Sequence, residues 1–160
     1  MSVVRFVDTS ILVNLLDVPG KNQDHDRVAI DYQAMVANHD TFVLPVATLV
    51  ETGNHIANSS GADRFRIASK FVELIRVALR GNGNWYVRSE ITASVLERIL
   101  GQLPTNAAAE IGFGDTSIVE QFEEYWKMEQ PIGEMCIWST DHHLSSYPAK
   151  FGDLKRRRER

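Results

Sequence analysis

Four acidic side chains of this sequence stand where chemistry can be done. Asp8 directly follows the apolar run SVVRFV, and Asp141 follows the apolar run EMCIWS. Asp115 opens a segment in which Ile118, Val119 and Phe122 recur at helical spacing, so its side chain is expected to point inward. Glu51 lies off the main apolar stripe of its segment, on a flank with Ala47, Asn54 and His55 that is either solvent-facing or the wall of a cleft. Each acid has an ordinary explanation: an aspartate at a strand–helix junction usually caps the helix, and a lone glutamate usually sits on the surface. Together they form a more specific pattern. The aspartates lie in Asp8-Thr9-Ser10, Asp115-Thr116-Ser117 and Ser139-Thr140-Asp141-His142, each with hydroxyl neighbours. Carboxylates gathered in one pocket cannot all stay ionised without cations, and hard divalent ions with oxygen ligands relieve that repulsion.

The elements that must position these acids alternate in type. Residues 2–7, 41–45, 85–89 and 134–139 read as strands; 8–17, 25–40, 46–58, 64–80, 90–103 and 115–128 read as helices. Pro104 is the expected end of the fifth helix, and DHHLSS is a short turn or helix after the last strand. This alternation predicts a three-layer α/β/α domain with a mainly parallel central sheet. In such sheets ligands bind outside the carboxyl ends of the strands, where Asp8 and Asp141 fall. If their two strands are neighbours, both carboxylates open into one crevice.

The chain has 160 residues and one cysteine, Cys136, which excludes an internal disulfide and agrees with a reducing compartment. Residues 1–154 are expected to form one domain, with the basic tail 155–160 unstructured. No apolar run approaches a bilayer span, and MSVVRFVDTS has no signal-peptide pattern, so a cytoplasmic location is the expectation. Net charge is −4, unevenly spread: −4 over residues 1–60, +3 over 61–100, −7 over 101–149 and +4 over 150–160. Separate acidic and basic zones suit a protein that holds cations beside phosphates; chance clustering is the plain alternative. In the helix 64–80, Phe65, Ala68, Phe71, Val72, Ile75 and Leu79 are expected to face the core. Arg66, Lys70, Arg76 and Arg80 lie opposite, either as a solvated face or as a ridge tracking phosphates. Arg156, Arg157 and Arg158 of the tail are candidates for the same contact.

Other chemistries fit less well. His142 and His143 lack the paired spacing of a transition-metal site. A phosphatase of the haloacid-dehalogenase type would need D-x-D after the first strand, where Ser10 holds the third position. LPVATL offers no phosphate-accepting aspartate of the receiver type, and neither a P-loop nor a nucleophile elbow occurs.

FVDTSILVNLL, LPVATLVETGNHI, GFGDTSIVEQF and IWSTDHHL follow one another along nearly the whole chain. In order and approximate spacing they resemble the PIN domain, the nuclease fold of VapC-type toxins and of several RNA-processing enzymes. The resemblance implies that Asp8, Glu51, Asp115 and Asp141 are the family's acidic quartet. It makes Ser10 the support of the first aspartate and puts Ser139 where the family usually has threonine in T-x-D. It further implies an endoribonuclease using Mg²⁺ or Mn²⁺, with Asp8, Asp115 and Asp141 as ligands and Glu51 completing the site by orienting the attacking water. An RNA substrate, an antitoxin peptide and a homodimer are the partners it implies, with no membrane. Two readings from other classes stand beside it: a non-catalytic PIN-like module that holds RNA or a protein, and a phosphatase acting on a small ester.

Overall fold

The computed structural model describes residues 2–131, 133–147 and 150–151. The tail expected to be unstructured, with Arg156, Arg157 and Arg158, lies outside the described residues. In chain order the elements are β1 (Val3–Val7), α1 (Thr9–Leu15), α2 (His25–Ala37), β2 (Thr41–Pro45), α3 (Val46–Asn58), α4 (Arg64–Leu79), β3 (Trp85–Arg88), α5 (Ala93–Ala108), α6 (Phe113–Glu129), β4 (Glu134–Trp138), α7 (His142–Ser145) and β5 (Lys150–Phe151). The sheet runs β3-β2-β1-β4-β5, with the first four strands parallel and the short β5 antiparallel to β4.

Strand side chains alternate between faces, and the core divides accordingly. Val7, Phe42, Leu44, Trp85 and Trp138 pack with Ile11, Leu12, Val28, Ile56 and Ile67 on one side. Phe6, Val43, Met135 and Ile137 meet Ile118 and Phe122 of α6 on the other. The outcome is the expected three-layer α/β architecture. The chain builds outward from β1 through β2 to β3, then crosses to place β4 on the other side of β1. The order therefore reverses between β1 and β4, which makes that junction a topological switch point.

Some local expectations are corrected. α2 stops at Ala37 instead of running to residue 40, because His39 takes φ 60° and the chain then turns Asp40 into the interior. α5 continues through Pro104 to Ala108, packed against α6, so tertiary contact outweighs the helix hydrogen bond that proline removes. α6 begins two residues before Asp115, with Gly112 as its N-cap. In α4 Ala68 and Phe71 pack against the core as expected, but the buried arc is turned from the rest of the expected face. Ile67 and Ala78 are buried, whereas Phe65 is 85% and Leu79 64% exposed, and Val72 is exposed as well. Apolar residues lie on several sides of this helix, so periodicity alone could not say which arc meets the sheet.

One polar contact fastens the start of β1 to the entrance of β2. Asp40 is fully buried and accepts from Val3 N–H (2.9 Å), Arg5 Nε (2.7 Å) and Asn38 Nδ2 (2.7 Å). Burial alone would raise its pKa; the donors more than offset this and hold the carboxyl below its ordinary value. Asp40→Ala strands the Arg5 guanidinium and is expected to lower the unfolding free energy by about 3–5 kcal/mol, read from urea denaturation. Asp40→Asn, which can still accept from Val3, should cost less.

Candidate active site

The site grows from the pairing of β1 with β4. Val7 lies level with Trp138, and Asp8 N–H donates to the Trp138 carbonyl (3.0 Å), so the two strands release their chains side by side. Asp8 then caps α1, its Oδ2 accepting from Ser10 N–H (3.3 Å), Ser10 Oγ (2.7 Å) and Ser139 Oγ (2.8 Å). The two hydroxyls in turn accept from the backbone beyond β4: Ser10 Oγ from Thr140 N–H (3.0 Å), Ser139 Oγ from Asp141 N–H (2.9 Å). Both serine hydroxyls thereby lie within hydrogen-bond reach of Asp8 and of each other. All these bonds fall on Oδ2, and Oδ1 takes none of them. Asp141 caps α7 through Oδ1, which accepts from His143 N–H (2.8 Å) and Leu144 N–H (3.2 Å). The ordinary reading of both aspartates as N-caps is thus correct, and it coexists with their shared opening.

α3 supplies the next acid. Thr48 Oγ1 donates to the carbonyl of Val7 (2.8 Å), pinning the first turn of α3 to the end of β1. Glu51, one helical turn on, then faces the same crevice, and its Oε2 accepts from Thr9 Oγ1 (2.8 Å). On the far side Glu51 lies against Gly114. A Cβ built on Gly114 would stand 2.1 Å from Glu51 Oε1, so no other residue fits there with Glu51 in place. Asp115 follows in the first turn of α6, half-buried and not a cap.

Asp8, Glu51, Asp115 and Asp141 line one cleft of about 300 Å³. Burial first, then the charges of Asp8, Asp141 and Glu51, push the Asp115 carboxyl up to about 6; His143 opposes this. The cleft therefore carries more negative charge than its own residues balance, and its donors are carboxylate oxygens. That set fits a hard divalent cation whose shell is completed by water or substrate oxygens. Among the described residues no three acidic, histidine or cysteine side chains cage an ion by themselves.

Ser10 lines the cleft, and Ser139 acts through Asp8. Arg66, Lys70 and Arg76 of α4 and Arg80 at its C-cap are exposed and do not line it; Arg66 pairs with Asp63. Sequence reasoning missed Thr9, Thr48 and Gly114 as positioning residues, and Lys21 and Asn14 as cleft residues. The glycine beside the acid in GFGD was the available signal.

Comparison with known proteins bears on the fold. No family model matches the chain, and no curated protein matches it. Among solved structures it is similar to FitAcB from Neisseria gonorrhoeae, at 15% identity and TM-score 0.54, over 86% of this chain and 87% of that one. It is also similar to VapBC2 from Rickettsia felis bound to a DNA fragment from their promoter, at 15% identity and TM-score 0.51, over 85% of this chain and 99% of that one. The fold is that of a VapC-like PIN domain. In this fold the acidic cleft sits at the β1/β4 switch point, at the carboxyl ends of the strands.

The raised Asp115 pKa has a signed consequence. Between the ordinary value of 3.8 and about 6 the folded state binds more protons than the unfolded one. The associated stability is present below the lower value and is lost as pH rises through the upper one. In metal-free protein near pH 7, Asp115→Asn is expected to raise stability by on the order of 1–2 kcal/mol, discounted for partial solvent access. Near pH 4 the gain should vanish. Thermal melts at both pH values measure it; equal melting at pH 7 would contradict the electrostatic account.

Proposed function

We propose that this PIN domain is a metal-dependent endoribonuclease using Mg²⁺ or Mn²⁺, acting as the toxin of a type II toxin–antitoxin pair. The observation that carries the reading is the meeting of Asp8, Glu51, Asp115 and Asp141 in one cleft with an unbalanced negative charge. Asp8, Asp115 and Asp141 would hold the ion, Asp8 with its orientation fixed by Ser10 and Ser139. A bound divalent cation supplies Lewis-acid stabilisation of charge on the phosphoryl group and activates water at neutral pH. Glu51, held by Thr9 and backed by Gly114, orients the attacking water. Lys21, in the cleft wall, offsets phosphate charge as the strand enters.

RNA is the substrate we assign from the resemblance to VapC-type toxins, in a cytoplasmic setting. Arg66, Lys70 and Arg76 of α4, Arg80 at its C-cap, and Arg156, Arg157 and Arg158 of the tail are assigned as contacts to its backbone. The likeness to VapBC2 supports an antitoxin partner. The resemblance adds a homodimer, for which exposed Phe65, Val72 and Leu79 are a surface to bury. No helix among the described residues is long and apolar enough to cross a membrane.

The competing reading, a non-catalytic PIN-like module that binds RNA or a protein, draws on the absence of a ready-made metal cage among the described residues. Calorimetry with Mn²⁺ separates the two: the nuclease reading expects binding by wild type that Asp8→Asn abolishes.

Asp8→Asn or Asp115→Asn is expected to lower cleavage of a mixed RNA pool by at least about a hundredfold, through lost stabilisation of transition-state charge. Mg²⁺ and Mn²⁺ should support cleavage and Ca²⁺ should not; equal cleavage by the purified variants refutes the site. Gly114→Ala meets only the mobile end of Glu51, so it should cost little stability while lowering turnover by about tenfold or more. Melting temperature and single-turnover rate, measured together, test that separation.

A further inference from the structure

A second hollow lies against the wall of the acidic cleft. Val46, Ala47 and Val50 of α3, Ile91, and Phe113 and Ser117 of α6 line a cavity of about 330 Å³ that shares Glu51 with the cleft. Its lining is mainly apolar, yet it opens to solvent: Val50 is 57% and Phe113 44% exposed. The chamber is held in shape. Gln121 Nε2 donates to the carbonyls of Arg88 and Glu90 (3.2 Å each), fixing the segment that leads into Ile91. Gly114, between Phe113 and Asp115, keeps the partition thin enough for Glu51 to form the wall of both spaces.

We propose that this hollow is a nucleobase subsite, which seats the base of a nucleotide adjoining the phosphate that is cut. The proposal rests on the nuclease reading for the phosphate and on the cavity for the base. A nucleotide's base is tethered one sugar away from its phosphate. A strand whose phosphate reaches Glu51 and Asp115 therefore carries a base to the neighbouring space. A base has flat apolar faces and a polar edge. Phe113 at the mouth gives its face an aromatic ring to stack on, and the aliphatic side chains of Val46, Val50 and Ile91 take the rest. The volume sits at the small end of ligand pockets, about 300–1,000 Å³, which suits one ring system and not a length of peptide. Occupancy would give the enzyme a preference for particular bases at one position beside the cut.

The test uses the full chain and the free nucleosides adenosine, guanosine, cytidine and uridine, which carry no phosphate and need no metal. At least one is expected to shift the methyl resonances of Val46, Val50 and Ile91 and the ring resonances of Phe113. Phe113→Ala should weaken that binding by about tenfold or more, the scale of a lost base–aromatic contact. On an RNA pool the same variant should flatten the base preference at one position beside the cut and raise KM more than it lowers kcat. The proposal is overturned if the shifts fall elsewhere or are absent, if Phe113→Ala binds as well as wild type, or if both proteins cut with the same base distribution. Should wild type cut no RNA while nucleosides still bind in the hollow, the nuclease reading falls and the base site stands. Cleavage without nucleoside binding gives the reverse.

Discussion

Mutual repulsion among four carboxylates is the constraint on which the rest of this molecule depends. Like charges drawn into a partly desolvated cleft destabilise the fold unless something fixes them and something balances them. The fold supplies the first half. Parallel pairing of β1 with β4 sets Asp8 level with Ser139, and the hydroxyls of Ser10 and Ser139 both donate to one oxygen of Asp8. The same hydroxyls collect backbone N–H groups of Thr140 and Asp141, so the loop that carries Asp141 is tied to the carboxylate it opposes. The second half is not met by the cleft's own residues: burial first, then the neighbouring carboxylates, raise the Asp115 pKa in the protein alone.

Hydroxyl bonds add position to the apolar packing that seats the surrounding helices. Thr48 binds the carbonyl at the end of β1, and Thr9 binds Glu51 one helical turn further on. Both threonines are buried, where an unpaired hydroxyl is costly, so each bond also specifies position. Gly114 completes the arrangement by removing a side chain that would collide with Glu51. The Glu51 carboxylate thus lies between a hydroxyl donor and a bare stretch of backbone at the cleft wall.

Much of this was legible in the sequence. Alternating apolar runs and amphipathic segments fixed a three-layer α/β class, because a parallel sheet needs a crossover between successive strands and must be covered on both faces. The hydroxyl neighbours of Asp8 and Asp141 pointed to junction aspartates, and both are the helix caps that local chemistry favours. α4 was less legible. Its apolar residues, from Phe65 to Leu79, occupy several sides of the helix, and only docking against the sheet and α3 selected Ile67 and Ala78 as the buried pair. α5 likewise passes Pro104 because packing against α6 outweighs a local preference.

By itself the sequence determined which residues were available: three aspartates at element boundaries, a glutamate on a helix flank, and hydroxyls beside them. Residue type and period are local properties, and local physics reads them. Which of those residues meet is decided by strand order. Asp8 and Asp141 are 133 positions apart in number, and only the reversal that lays β4 beside β1 makes them neighbours. Glu51 was left between solvent and cleft until Thr48 and Thr9 fixed the roll and placement of α3. The hollow behind it, and the glycine that keeps its wall thin, arise from α3 and α6 meeting. No window along one chain segment contains that contact, so only the tertiary structure could decide it.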